Sequence, residues 1–574
     1  MTAAVAAGLP GRLGRVDLSR PVVLLLAAVL CLLIVLPVSW LVYFAFTDRD
    51  GLPTFANFAP LFSDPAYTEP MITTLVISVS VGLACAAVAA PMGWLVARTD
   101  VPFARTIRSL IMASFVTPPF LGAIAWEILA APNSGMLNQW YRELTGAPPD
   151  QHLFNIYSLT GVIFVIACYT FPYVFVLVAN ALERIPGELE DASSILGGRA
   201  WHTARRITVP LALPALLAGC LVAFLQAMTL FGSPAILALP AGFHTMTTKI
   251  WSLFQYPPKP GLAAACSLPL LLLTVVLLRA QHMILGRRSY QVIGGKSGAP
   301  RVIRLGPWRW LALAVCLIVL LNPVFLPYLG LVKAAFTHVF SQPLTLKNLT
   351  LEHVDFVFFE FSSTRLALKN TFLLGILAAT LGSGLALVIA YATARRVVAG
   401  YRVLDFFATA PVAIPAIVLG VGLFLAYTRP PFVLYGTLSI LLIAFVTIQL
   451  PAAYQQLQSA FRAVNPELEE ASRILGATRL QALRHITAPL LRSGVIAAWC
   501  FIFIGTIREL SAAIMLFTAD TKVISVVIFD LNENGHLGPI SVLGILMLVI
   551  TFAVVTLANR LHGSGAWRGQ RVTG

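Results

Sequence analysis

Residues 188–211, ELEDASSILGGRAWHTARRITVPL, and residues 467–490, ELEEASRILGATRLQALRHITAPL, are one segment written twice. They align without a gap at an offset of 279, and 13 of the 24 positions are identical. Each copy is polar and helix-forming, and each lies between long apolar runs. A repeat at fixed spacing sets the architecture before any local motif is read. The chain is therefore expected to be two homologous halves, each presenting the same charged element on the same face.

Composition says what those halves are built in. Of the 574 residues 58% are hydrophobic and only 11% charged, and the mean hydropathy is +0.85. Soluble domains carry about 25% charged residues, so this chain reads as an all-α polytopic membrane protein. Apolar stretches of bilayer length occur near 21–46, 71–97, 109–131, 158–182, 210–232, 260–283, 309–332, 368–394, 404–427, 435–458, 489–510 and 538–559, about twelve in all. The 37 Pro and 40 Gly suit this class, because membrane helices tolerate both better than soluble helices do. The seven Cys fall inside apolar runs with no CxxC spacing and read as small core residues.

The net charge of +15 could point to nucleic acid, but its distribution points to topology instead. With the N-terminus in the cytoplasm, 28 of the 39 Lys and Arg fall in or beside the cytoplasmic segments. This is the positive-inside bias. It puts both copies of the repeat, and both termini, in the cytoplasm, with membrane lipid and not nucleic acid as the surrounding partner. The run after Arg12, Arg15 and Arg20 is far longer than a signal peptide's apolar core and reads as an uncleaved first helix. Six spans per half give both halves one orientation, a parallel repeat. The expected domains are a first half over 1–283, a linker over 284–308 rich in Gly and Arg, and a second half over 309–574. The repeated loops occupy 185–211 and 464–490. Outer loops near 132–157, 233–259, 333–367 and 511–537 are long enough to hold short helices.

In the first loop Pro186 and Gly187 break the preceding span, and Glu188, Glu190 and Asp191 crowd the next turn, where acids favour a helix N-terminus. Leu189, Ala192, Ile195 and Leu196 make a narrow apolar stripe at helical spacing, and Gly197 ends the helix. A basic segment with Arg199, Arg205 and Arg206 follows, and Pro210 opens the next span. In the second loop Pro466, Glu467, Leu468, Glu470, Ala471, Ile474, Leu475, Gly476 and Pro489 repeat the design. The product is a short amphipathic helix lying across the membrane face with its stripe open to a partner.

The spacing Asp191-Ala192-Ser193, Gly197, then Ile207-Thr208-Val209-Pro210, matched by Glu470-Ala471-Ser472, Gly476 and Ile486-Thr487-Ala488-Pro489, resembles the EAA loop of ABC importer permeases. Both copies carry Ser where the third letter is usually Ala, and the first has Asp for Glu. The two halves in one chain are similar to the fused permeases of ferric-iron and thiamine importers. The stretches Phe231–Phe243 and Arg508–Leu516 look most like the ferric-iron branch. The resemblance implies the type I ABC importer permease fold in a bacterial inner membrane. It implies that Glu188, Leu189, Asp191, Ala192, Ile195 and Gly197, with Glu467, Leu468, Glu470, Ala471, Ile474 and Gly476, form coupling helices seated in two cytoplasmic ATPase subunits. It also implies that those subunits hold ATP and Mg, that this chain binds no cofactor, and that an external or periplasmic solute-binding protein delivers the cargo. Ferric iron is the first expectation for that cargo, with thiamine, a polyamine, a phosphonate or another small solute as alternatives.

Other signals are weaker. Gly295-Lys296-Ser297 lacks the Gly that a phosphate loop needs five positions before Gly295, where Tyr290 stands, so ATP hydrolysis is expected from a separate subunit. Glu127 and the neighbours Arg508 and Glu509 are the charges expected at membrane depth, near the outer ends of their spans. Snorkelling or a local ion pair accounts for them, or else Arg508 and Glu509, with Phe231 and Ser233, and less so Glu127, line or gate the outer mouth. The nine His, among them His244 and His536 on the outer side, show no metal-ligand spacing, and no catalytic arrangement is present. The competing class is an ion-coupled carrier, which would hold coupling acids near the midplane.

Overall fold

The computed structural model describes residues 19–287, 302–396 and 400–566. Among these residues every regular element is helical. Ten helices are long and apolar enough to cross a membrane, or twelve spans if each of two bent pairs is counted as one. In chain order we label α1 Leu24–Ala45, α2 Pro65–Arg98, α3 Ala104–Val116, α4 Pro119–Ala130 and α5 Leu159–Glu183. Then come α6 Gly187–Ile195, α7 Trp201–Thr229 and α8 Pro260–Ile284. The second set is α9 Trp308–Ala335, α10 Ser362–Ala394, α11 Tyr401–Ala413, α12 Ala416–Tyr427, α13 Leu438–Ala463, α14 Glu467–Ile474, α15 Leu483–Ile507 and α16 Leu537–Ala558.

The spans expected at 109–131 and 404–427 are not straight. Helices α3 and α4 meet at 99°, and α11 and α12 at 109°. The cause is local: Thr117 precedes Pro118 and Ile414 precedes Pro415, and both residues are extended. A residue before proline is pushed out of the helical region by the ring's Cδ. With 13 residues, α3 rises only about 20 Å. That is short of the hydrocarbon layer of about 30 Å, and Thr117 and Pro118 at the break are buried in protein, as broken backbone in a membrane requires.

Pro210 and Pro489 do not open their spans. Helices α7 and α15 already run through them from Trp201 and Leu483. In each, a wide turn precedes the proline, Ala204–Thr208 and Leu483–Thr487, with Val209 N bonded to Ala204 O and Ala488 N to Leu483 O. The same device stands before Pro37 and Pro327, at Cys31–Val35 and Leu321–Phe325. Proline cannot donate to the carbonyl four residues back and its ring collides with it. Widening the turn removes the collision without ending the helix.

Helices α2, α5 and α7 pack as one triple and α10, α13 and α15 as its counterpart. The halves are interleaved: α1 packs against α12 of the second set, and α9 against α4 of the first. Tyr328 Oη lies 2.6 Å from Thr117 Oγ1 at the first bend, and Tyr427 Oη, at the far end of α12, donates to Leu32 O at 2.9 Å, so each bent pair is held by the other half's first helix. Of the cysteines, Cys85, Cys168, Cys266, Cys316 and Cys500 are buried as expected, Cys220 is partly buried, and Cys31 faces outward. Most of the expected linker 284–308, with Tyr290 and Gly295-Lys296-Ser297, lies outside the described residues, as do Arg12 and Arg15. Its last residues are not free: Ile303 N donates to Arg98 O at 2.8 Å, and Leu305 N to Asp100 Oδ1 at 2.8 Å.

Candidate functional site

The two copies of the repeat form the same object. Pro186 and Pro466 stand at the N-caps of α6 and α14. At the other end Gly198 N bonds to Ser193 O and Gly197 N to Ser194 O. Ala477 N bonds to Ser472 O and Gly476 N to Arg473 O in the same way. This pattern stops a helix only with a left-handed residue at its second-last position. Gly197 and Gly476 supply it, at φ +80° and +92°. Glu188, Leu189, Asp191, Ala192, Ile195 and Gly197 are all exposed, and so are Glu467, Leu468, Glu470, Ala471, Ile474 and Gly476. The apolar stripe ends in a bare tip: Ile195 and Leu196 are 85% and 87% exposed, and Ile474 and Leu475 85% and 88%.

What holds each exposed helix is a buried lock that the sequence reading missed. Glu190 is not a solvated N-terminal acid. Its Oε1 lies 2.5 Å from Arg98 Nη2 and accepts from Thr208 Oγ1 at 2.9 Å, while Arg98 Nη1 donates to Leu182 O and Ile185 O at the end of α5. In the second half Arg395 Nε and Nη2 donate to Glu469 Oε1 at 3.1 and 3.0 Å, Thr487 Oγ1 donates to the same oxygen at 2.8 Å, and Arg395 Nη2 also donates to Val464 O. Glu190 and Glu469, Thr208 and Thr487, and Ile185 and Val464 are each 279 apart, inside the repeat. Arg98 and Arg395 are 297 apart and lie outside it. The identical glutamates and threonines were a visible signal; their arginine partners were not. The side chain of Arg98 is wholly buried, whereas that of Arg395 keeps 10% of its surface.

At the far end of α7 and α15 the halves stop matching. The offset of 279 pairs Thr229 with Arg508 and Leu230 with Glu509. The neighbouring hydrogen bonds are duplicated: Thr247 Oγ1 donates to Leu230 O at 2.9 Å, and Ser525 Oγ to Glu509 O at 2.8 Å. The charges are not. Arg508 neither snorkels outward nor pairs with Glu509. Its Nη1 donates at 3.1 Å to Phe115 O, in the last turn of α3 just below the bend. Glu509 Oε1 accepts from Ala512 N at 3.2 Å. Arg508 stands at the end of its span, as expected, capping α15. Phe231 and Ser233 are fully buried beside it. The Phe231 ring packs 5.9 Å from both Trp251 and Phe529, and Ser233 Oγ donates to Pro119 O at 2.8 Å. Glu127 is also bound inward, accepting from Tyr157 Oη at 2.7 Å and from Asn532 Nδ2 of the other half at 3.1 Å. Setting α4 on α12 from their first residues, an offset of 297, and Met246–Ser252 on Ile524–Glu533, an offset of 278, makes Phe424 and Phe254 the counterparts of Glu127 and Asn532, and these two rings meet edge to face with centroids 5.3 Å apart.

Comparison with known proteins agrees with the duplicated architecture. The family described as binding-protein-dependent transport system inner membrane component matches the chain twice, over residues 89–290 and 382–564. The Ferric transport system permease protein FbpB of Actinobacillus pleuropneumoniae is 27% identical over 455 residues, covering 78% of this chain and 64% of the relative. The chain thus spans a little under two thirds of that relative's length. A Putative 2-aminoethylphosphonate transport system permease protein PhnV of Salmonella choleraesuis is 27% identical over 161 residues, covering 28% of this chain and 60% of the relative. A solved bacterial ABC transporter involved in the import of the acidic polysaccharide alginate aligns with TM-score 0.38 at 19% identity, over 48% of this chain and 98% of that one.

Proposed function

The chain belongs to the binding-protein-dependent transport system inner membrane component family, and from that premise we propose that it is the pore-forming subunit of an ATP-driven importer. In this reading one chain supplies both halves of the pore, both termini are cytoplasmic, and two ATPase subunits dock on residues 188–197 and 467–476. Those subunits, not this chain, bind ATP and Mg. The observation that carries the reading is the pair of bare Ile-Leu tips, each on a short helix locked through a buried Arg–Glu pair to the ends of the membrane triple. A stroke delivered to the tip passes through that lock to α2 and α5, or to α10 and α13, without a flexible joint. Closure of the ATPases draws the two tips together and rocks one half against the other. The cavity then opens outward to a solute-binding protein at the outer loops, and hydrolysis resets it. Phe231 and Ser233 belong to the seal between the halves, and Arg508 and Glu509 to the pathway.

The cargo we propose is ferric iron, as in the name of the relative that covers most of the chain. A phosphonate is the second reading, since relatives so named match part of it. The test is Gly197→Asp combined with Gly476→Asp. The double variant should reach the membrane at the normal level yet lose both iron uptake and stimulation of ATP hydrolysis. If both survive, the coupling role is wrong. Uptake abolished by an uncoupler but indifferent to ATP would favour an ion-coupled carrier.

A further inference from the structure

Resting on the importer reading, we propose that Arg508 of the second half, with Tyr173 and Gln226 of the first, forms an oxyanion-binding site in the pathway, so that cargo passes the bend with an anionic oxygen group facing this cluster and not its counterpart under the repeat. Arg508 lies at the junction of the halves, touching the end of α3 while it terminates α15. It remains partly accessible there, as do Glu509, Tyr173 and Phe115, and Gln226 is exposed. Residues that touch helices of both halves and keep accessible surface are placed to meet a solute passing between the halves. Their chemistry is that of donors. Gln226 Nε2 donates to Tyr173 Oη at 2.8 Å, leaving the tyrosine's own proton free to donate onward. One guanidinium nitrogen of Arg508 is spent on the Phe115 carbonyl, and the planar fork keeps further donors. The Tyr173 ring packs against Phe115 with centroids 4.7 Å apart, which brings the hydroxyl and the guanidinium to the same turn of α3. The nearby carboxylate of Glu509 is turned to the backbone N–H of Ala512.

The repeat-related cluster offers nothing comparable. The repeat puts Thr229 opposite Arg508, and its hydroxyl bonds back to Leu225 O of its own helix at 2.9 Å. It puts Ala452 opposite Tyr173 and Gly505 opposite Gln226. Donors gathered in one cluster, with small or non-donating residues at its repeat-related counterpart, suit an oxyanion held by a planar fork. Such an oxygen group can be a free phosphonate, or a carboxylate or phosphate carried on a metal ion.

The experiment uses the whole transporter with its ATPase and binding-protein partners in proteoliposomes. The probes are radioactive iron supplied as ferric citrate and, separately, 2-aminoethylphosphonate. Arg508→Gln should cut uptake of the transported probe at least tenfold, Arg508→Lys should keep a third or more, and Tyr173→Phe should cost about threefold. Excess inorganic phosphate should inhibit the unchanged protein and not the residual uptake of Arg508→Gln. Loss of phosphonate uptake identifies a free oxyanion, and loss of iron uptake a metal-held one. Uptake in Arg508→Gln within twofold of normal, still ATP-dependent, overturns the site and leaves the importer reading standing. Uptake indifferent to ATP but abolished in Arg508→Gln overturns the importer reading and leaves the site standing. Should Arg508→Gln fail to reach the membrane, unaltered uptake and phosphate inhibition in Tyr173→Phe overturn the site.

Discussion

The loop end of the molecule and its interior bends treat the internal repeat in opposite ways. At the loops, carboxylate, hydroxyl, accepting carbonyl and bare Ile-Leu tip recur in both halves. At the bends the backbone contacts recur, but Arg508 stands where the first half has Thr229, and Glu127 with Asn532 stands where the repeat gives Phe424 with Phe254. Two like motors acting on one pore require like attachments. A single cargo meets both walls at once and sets no such demand. On the proposed reading, duplication is kept where force enters and given up where cargo passes.

The strongest way to break the comparison is at the locks. Glu190→Gln strands Arg98, which has no water to turn to, whereas Glu469→Gln leaves Arg395 a little surface. Removing one member of a buried pair costs about 3–5 kcal/mol. Thermal unfolding in detergent should show the full loss for Glu190→Gln and a smaller one for Glu469→Gln. Equal, negligible losses would mean that the two locks hold nothing.

The tips should behave the other way, losing function without losing stability. Ile195→Ser with Leu196→Ser, or Ile474→Ser with Leu475→Ser, replaces residues that touch almost nothing in this chain. Surface changes of this kind stay within about 0.5 kcal/mol, yet co-purification of the ATPase should fall tenfold or more. The two pairs should be equivalent. Loss confined to one copy would show that the attachments are not alike.

These two predictions also separate what the sequence made legible from what it did not. The tips, the stripe and the terminating glycines were readable because they depend on neighbours three or four residues away in one segment. So were the number and nature of the spans. The locks were not readable, because Arg98 and Arg395 come from distant helix ends at another offset, and Glu190 looked like an ordinary acid in a first turn. The bends carried a signal, Pro118-Pro119 and Pro415, which the long apolar runs outweighed. The contact of Arg508 with the Phe115 carbonyl depends on the first bend, so reading α3 and α4 as one straight span hid that partner.

A subtler probe makes the first half resemble the second. Glu127→Phe alone leaves Tyr157 Oη and Asn532 Nδ2 without their acceptor, at a cost of about 1–3 kcal/mol for stranded groups. Adding Asn532→Phe recreates the Phe424–Phe254 pair seen at the related crossing and should recover most of that loss. A coupling of about 0.5–3 kcal/mol between the two changes, read from a double-mutant cycle of unfolding, is the expected result. Strict additivity would mean that the two crossings are not equivalent in packing.

The smallest expected effect lies in the loops near these crossings, where the local offset of 278 sets His244 of the first half against Lys522 of the second. Lys522 Nζ is held 2.5 Å from Asp530 Oδ2, whereas His244 has a hydroxyl, Thr248 Oγ1, 3.4 Å from its Nδ1. Partial burial, and then the charge of Lys249, hold the His244 imidazole below its usual pKa. The closed loop therefore prefers the neutral ring, and an opened loop takes up the proton first. Above about pH 6.5 neither form is charged and the group contributes nothing. As pH falls through that value the opened form gains protons ahead of the closed one, and the loop loses stability. Hydrogen exchange of residues 238–249, corrected for its intrinsic pH dependence, should rise between pH 7 and pH 5.5. Residues 516–527, which include no histidine, should not follow. His244→Asn should flatten the first curve onto the second. A rise that persists in that variant would place the titrating group elsewhere.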